Sequence, residues 1–276
     1  GMQVMINSAL RNNYDELYVE AVQIDPVNGA ITTKLTGMLY YYDMFLVFDQ
    51  QILSWSMAEN VTLTLYGVKD GKTFVGQSYS ASVESLALGM IEKNAATKPA
   101  NCRPLVDMLN YGAAVQTAFN HNADKLPNTQ LGEYAALGTS TTPSMTASSK
   151  ETGTGSIKVG QVSISMQAKV ELQILFMTKI DGYTPKATLN GAEVAVTVDN
   201  ETYGAYGWTI IKLAAGAANL RDFYEFALYD ANGNAVTPVY QLTVEAYAKN
   251  QIGGTYEAVA VAMMRYGDSV AAYAKG

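Results

Sequence analysis

The chain has one cysteine, Cys102, and one histidine, His121. A single thiol excludes an internal disulfide, and a single imidazole excludes a metal site built on two histidines. Neither shortage fixes a compartment, because exported proteins also do without cysteine. Charge is sparse as well: 16% of residues are Asp, Glu, Lys or Arg, with a net charge of −7. Residues 1–126 carry 8 basic and 12 acidic side chains, the remainder 10 and 13. No face is basic enough to neutralise phosphates, so nucleic acid and anionic lipid are not expected partners. The longest apolar runs, such as Met38 to Tyr42 and Val259 to Met264, fall far short of the roughly 20 residues that span a membrane. Gly1-Met2 reads as the scar of a cleaved tag, which leaves the N-terminus silent about export.

What is present is repetition. Pro104 to Phe119 places Leu105, Met108, Leu109, Gly112, Val115, Gln116 and Phe119 on one stripe at helical spacing. Near the C-terminus Val259, Met263, Tyr266, Gly267, Val270 and Ala274 form the same stripe. Tyr111-Gly112 falls on Tyr266-Gly267 at an offset of 155 residues. Glycine inside a helix costs roughly 1 kcal/mol relative to alanine, so a glycine kept at the centre of both stripes predicts close approach of a neighbouring backbone. The competing reading ends the helix at Tyr111 with Gly112 in the left-handed region beyond it.

The strands repeat too. Leu17 to Ile24 alternates and leads into the turn Asp25-Pro26-Val27-Asn28-Gly29. Ala30 to Tyr42 and Met44 to Ile52 are strand-like runs. Val61 to Tyr66 alternates, Asp70-Gly71 is a hairpin turn, and Lys72 to Tyr79 returns. Ser82 to Lys93 then reads as a helix with Ser82 as its N-cap. In the second half Gln161 to Thr178, Ala192 to Val198 and Trp208 to Leu213 supply strands. Phe226-Ala227-Leu228-Tyr229 lies 163 residues after Leu63-Thr64-Leu65-Tyr66, with Asn232-Gly233 as its turn. Tyr240, Thr243 and Glu245 lie 161 after Tyr79, Ser82 and Glu84. Strands followed by helices predict an α+β, mainly β fold: two tandem antiparallel β-sandwich, Ig-like units, each ending in a helical hairpin. The expected domains are 1–126 and 157–276. Residues 127–156, with a Ser/Thr/Gly-rich run from Gly138 to Gly155, are expected to link them.

The order Leu-Tyr, Asp-Gly or Asn-Gly turn, Tyr-x-x-x-Val-Glu, then Asp107-Met108-Leu109-x-Tyr111-Gly112-Ala113-Ala114-x-Gln116 resembles the C-terminal tandem repeat modules of large secreted or cell-surface proteins of Gram-positive gut anaerobes. Asn120, Asn122, Asp124 and Leu126 continue the match, whereas the second copy departs from it at Arg265, Asp268 and Ser269. The resemblance implies an extracellular or cell-surface location and an accessory or adhesive role, with no catalytic residues to carry over.

No residues stand out as catalytic or as metal ligands, and no cofactor is expected. His121, in Asn120-His121-Asn122 after the helix, reads as a capping or solvated loop residue, with a general base as the alternative. Cys102 at a helix start reads as a small buried residue, with a nucleophile as the alternative. Asp230-Ala231-Asn232-Gly233-Asn234 imitates a calcium loop, but Ala235 and Gln241 stand where Gly and Glu are required. Paired carboxylates of a hydrolase are not distinguishable from surface charge. The one positive lead is aromatic: 19 tyrosines and two tryptophans. Trp55, Trp208, Tyr40 and Tyr42 are candidate ligand contacts, and Trp55, between two strands, is expected to be the more exposed tryptophan. The alternative is that tyrosines face the sheet core. The sequence therefore predicts a non-catalytic spacer, adhesion or protein-interaction module. Its alternative is a carbohydrate-binding module, with a glycan or a host or bacterial surface protein as partner.

Overall fold

A computed structural model describes residues 2–40, 44–166 and 169–276, without the Tyr40 side chain. The chain divides into two compact units, Gly1–Leu137 and Gly138–Gly276. Among the described residues each unit holds two antiparallel sheets and two α-helices.

The first unit runs β1 (Met2–Asn7), β2 (Glu16–Asp25), β3 (Gly29–Thr36), β4 (Met38–Tyr40), β5 (Phe45–Gln50), β6 (Val61–Lys69), β7 (Lys72–Ala81), α1 (Val83–Asn94) and α2 (Pro99–Ala118). Its sheets have the orders β1-β5-β4 and β3-β2-β6-β7. Alternation sets which face is buried: Val19, Ala21, Gln23 and Asp25 of β2 point inward while Tyr18, Glu20 and Val22 do not. Met2, Leu46 and Phe48 of one sheet and Val19, Ala21, Val61, Leu63 and Ala81 of the other form one cluster. The two sheets therefore face each other across a common core. Each such large side chain contributes about 1.5–3 kcal/mol by leaving water. At the β6–β7 turn Asp70 and Gly71 both take positive φ, 50° and 70°, the geometry of a two-residue hairpin.

The second unit runs β8 (Lys150–Thr152), β9 (Gln161–Ser165), β10 (Glu171–Phe176), β11 (Thr184–Leu189), β12 (Ala192–Val194), β13 (Thr197–Asp199), β14 (Thr209–Ala214), β15 (Tyr224–Tyr229), β16 (Val239–Leu242), α3 (Val244–Lys249) and α4 (Glu257–Ala274). Its sheets are β13-β14-β10-β9 and β12-β11-β15-β16-β8. Phe176 of β10 and Phe226 of β15, both buried, bring the two sheets together with ring centroids 6.2 Å apart. Strand for strand, β4-β5-β1 corresponds to β13-β14-β10, and β3-β2-β6-β7 to β12-β11-β15-β16. The second unit adds β9 at one edge and β8 at the other.

The helices follow the last strand in both units. Ser82 caps α1 in a capping box: its Oγ accepts the Ser85 N–H at 3.0 Å, and its own N–H donates to Ser85 Oγ at 3.1 Å. α2 begins at Pro99, five residues before the expected start. Pro99 takes the first helical position, where its missing N–H and fixed φ suit the helix, and Pro104 sits inside. Ile91, Cys102, Val106, Leu109 and Leu131 pack α1, α2 and the segment after α2 into a second apolar cluster.

Gly112 lies within α2, which settles its role. A Cβ there would sit 3.1 Å from the Ser54 carbonyl oxygen and 2.8 Å from Met57 Sδ. A Cβ on Gly267 of α4 would sit 3.0 Å from Ala217 O and 2.6 Å from Leu220 Cδ1. Ala217 and Leu220 stand 163 residues after Ser54 and Met57. The Glu84 N–H donates to Met57 O at 2.9 Å, and the Glu245 N–H to Leu220 O at 3.0 Å. In both units the helices are thus held against the 3-10 turn joining the fifth and sixth shared strands, Ser54–Ser56 and Ala217–Asn219.

The segment expected to link the domains does not stand apart from them. Gly132–Leu137 is a 3-10 turn packed on α2 in the first unit. Residues 138–149 lie as a strap on the second unit and lead into β8, which pairs with β16. Its serines and threonines carry no apolar period, yet their backbone groups find partners, as described next.

Candidate functional site

Three polar or aromatic constellations are candidates. In the first unit Asp25 ends β2 on its inward face and is 1% exposed. Its Oδ1 accepts the Val27 and Asn28 N–H groups, each at 2.8 Å, which shapes the β2–β3 turn. Its Oδ2 lies 3.0 Å from His121 Nε2 and accepts the Ser56 hydroxyl at 3.4 Å. Burial alone would push this carboxyl up, but the Asn28 and Val27 donors and the His121 ring outweigh it and hold it below the ordinary value. Asn120 and Asn122, with φ of 51° and 49°, turn the chain back after α2 and present His121 inward. The Trp55 ring stacks on His121 at 4.8 Å and 14°.

The residue types suggest a Ser-His-Asp nucleophile, and the geometry refuses it. Such a site needs the imidazole between serine and carboxylate, whereas here the carboxylate lies between serine and imidazole. Ser56 is 1% and His121 6% exposed, so both are closed off from solvent. The cluster is a pin joining the β2–β3 turn, the Ser54–Ser56 turn and the loop after α2. Gln116 reinforces it by donating to the carbonyls of Asn122 and Lys125 at 3.0 and 3.1 Å. The His121 ring is therefore not solvated, while its backbone N–H donates to Gln116 O at 2.9 Å and so caps the end of α2.

In the second unit Arg221 grips Asp268 with two nitrogens, at 2.6 and 2.8 Å, and lies 3.0 Å from Glu245. Asp268 hydrogen bonding, more than anything, raises the guanidinium's already high pKa. The same network fastens the strap. Arg221 donates to Ser144 O, and Arg265 donates to Ser140 O and Thr141 O. Glu245 Oε1 accepts the Thr146 and Ala147 N–H groups.

The third constellation is open to solvent. Between β13 and β14 the loop Tyr203 to Trp208 brings Tyr203 and Tyr206 against Trp208, with ring centroids 5.9 and 5.3 Å apart. Tyr206 is 71% and Tyr203 40% exposed. Trp208 lines a cavity of about 250 Å³ with Lys179, Asp181, Asn200, Gly204 and Gly207. The loop is braced from below. Asp199 accepts the Glu201 and Thr202 N–H groups, both at 2.9 Å, and the Thr202 hydroxyl at 2.6 Å. Lys212 pairs with it at 2.7 Å and, with Thr202, drives its carboxyl far below the ordinary value. Thr209 donates to Asn200 Oδ1 at 2.7 Å, and Gly207 closes the turn with φ of 69°.

The candidate aromatic contacts thus scatter. Trp208 joins the open cleft. Trp55 is only half-buried rather than displayed, and its buried indole N–H finds no acceptor among the described residues. Tyr40 sits in β4 opposite Phe45, and Tyr42 lies outside the described residues. Tyr111 is buried and Tyr266 half-buried beside their glycines, and burial pushes the Tyr266 phenol up. Cys102 is buried, with its thiol pushed up by burial. Asp230 accepts the Asn232 and Asn234 N–H groups within a turn. No group of three potential metal ligands exists among the described residues, and no described helix is long and apolar enough to cross a membrane. Compared with known proteins, the chain matches no family model and no curated sequence.

Proposed function

We propose that the chain is a non-catalytic module of a larger cell-surface protein, made of two duplicated Ig-like domains that space or present neighbouring parts and contact a surface partner. The correspondence of sheet orders carries this reading. The second unit's orders β9-β10-β14-β13 and β12-β11-β15-β16 can be labelled A-B-E-D and C′-C-F-G, which supports the Ig-like reading. The first unit follows the same order without strand A. The matched glycines of α2 and α4, set against matched turns, favour one ancestral unit used twice. The resemblance to surface repeat modules points outside the cell.

Two measurements test it. Pulled end to end, the chain should unfold in two events, each releasing about 450 Å for units of this length; one event of twice that length refutes two independent spacers. Antibody raised against the chain should label intact cells that produce it, with the signal removed by external protease. Labelling only after lysis refutes the surface location.

A further inference from the structure

We infer that the Trp208 cleft of the second unit binds a neutral saccharide, one pyranose ring at a time. Binding by a purified chain does not depend on the surface location proposed above. The cleft has the two components such a ligand needs. Trp208, flanked by Tyr203 and Tyr206, offers a flat ring for the C–H face of a sugar. Lys179, Asp181 and Asn200 line the same cavity: an ammonium that only donates, a carboxylate that only accepts and an amide whose oxygen already accepts from Thr209 and whose nitrogen donates. That set matches vicinal hydroxyls, which both donate and accept. Neither the Lys179 ammonium nor the Asp181 carboxylate is engaged by another side chain among the described residues.

Charge and size narrow the class. Lys179 and Asp181 cancel, so nothing in the lining selects an anion. A cavity of about 250 Å³ is smaller than the roughly 300–1,000 Å³ of drug-sized sites and suits one ring. A protein partner would favour an apolar centre with polar groups at the rim, whereas here the polar groups share the cavity with the indole. The bracing of the loop by Asp199, Lys212 and Thr209 sets the cleft before a ligand arrives, which lowers the cost of binding.

The test screens the full chain on an array of neutral and anionic glycans, then titrates the best neutral hit by calorimetry. Binding at millimolar affinity or better is expected. It should weaken about three- to tenfold in Tyr206→Ala, which removes a ring packed against Trp208, and at least as much in Asp181→Asn. Both positions are peripheral to the core, so melting temperature should stay unchanged. Absence of binding to any neutral glycan, selection of anionic glycans alone, or full affinity in both variants overturns the inference.

Discussion

Two glycines in neighbouring helices of the first unit should respond oppositely to the same substitution. Gly89 in α1 is exposed and an added Cβ would meet nothing within 4 Å. Gly89→Ala should therefore gain the helix propensity alone, about 1 kcal/mol, and raise the first unit's melting temperature by about 3–4 °C. Gly112→Ala gains the same propensity but places a carbon 3.1 Å from the Ser54 carbonyl oxygen and 2.8 Å from Met57 Sδ. Methionine can swing aside; a backbone carbonyl held by its turn cannot. Overpacking costs about 1–3 kcal/mol, so the net is a loss of about 1 kcal/mol and a melting point about 3–4 °C lower. Gly112→Leu should lose several kcal/mol. Differential scanning calorimetry reads both signs in one instrument. A Gly112→Ala protein as stabilised as Gly89→Ala would refute the close packing of α2 on the Ser54–Ser56 turn.

Acid should act on the pin at Asp25. Its carboxyl is held below the ordinary 3.8 in the folded chain, so the stability it adds is fully present above about pH 5 and disappears as pH falls through the lowered value. Asp25→Asn should flatten the fall of the urea midpoint between about pH 5 and pH 2; an unchanged slope counts against the pin. The strap depends on Arg221, whose side chain is 37% exposed while its partner Glu245 is 6% exposed. Arg221→Ala leaves the buried carboxylate with only the Thr146 and Ala147 N–H groups, and with water screening the cost is about 1–2 kcal/mol. Cleavage of residues 138–149 by a dilute protease should then quicken about 5- to 30-fold, and an unaltered rate would show that the strap is held by something else.

Local chemistry was legible wherever a short pattern carries its own physical reason. Alternation placed β2 and β6, Asp70-Gly71 placed a hairpin, and Ser82 placed the start of α1. The offset of the two Tyr-Gly pairs predicts a repeat; the chain has two units, and their shared strands have the same order. The start of α2 was missed because Pro104 reads as a first-turn residue while Pro99 already is one. Residues 138–149 looked like a tether because their order comes from Arg221, Arg265 and Glu245, distant arginines and a glutamate that bond backbone atoms and leave no mark on the strap's own side chains. The position of His121 after α2 gives its capping backbone N–H but not the burial of its ring, for a similar reason: its partner Asp25 lies 96 residues away. Trp208 was visible as one of two tryptophans, but Tyr203 and Tyr206 were not distinguished from the other tyrosines, and Lys179 and Asp181 reach the cleft from another loop.

Strand β7 is an edge, nine of its ten residues are exposed, and no charge falls between Lys72 and Glu84. Its counterpart β16 has β8 laid along it. A bare ribbon margin of that length templates further chains, so the first unit, concentrated by itself, is the half that should cloud and gel. A single lysine in place of Tyr79 should keep it clear, whereas the second unit should acquire the same habit only after its strap is clipped away.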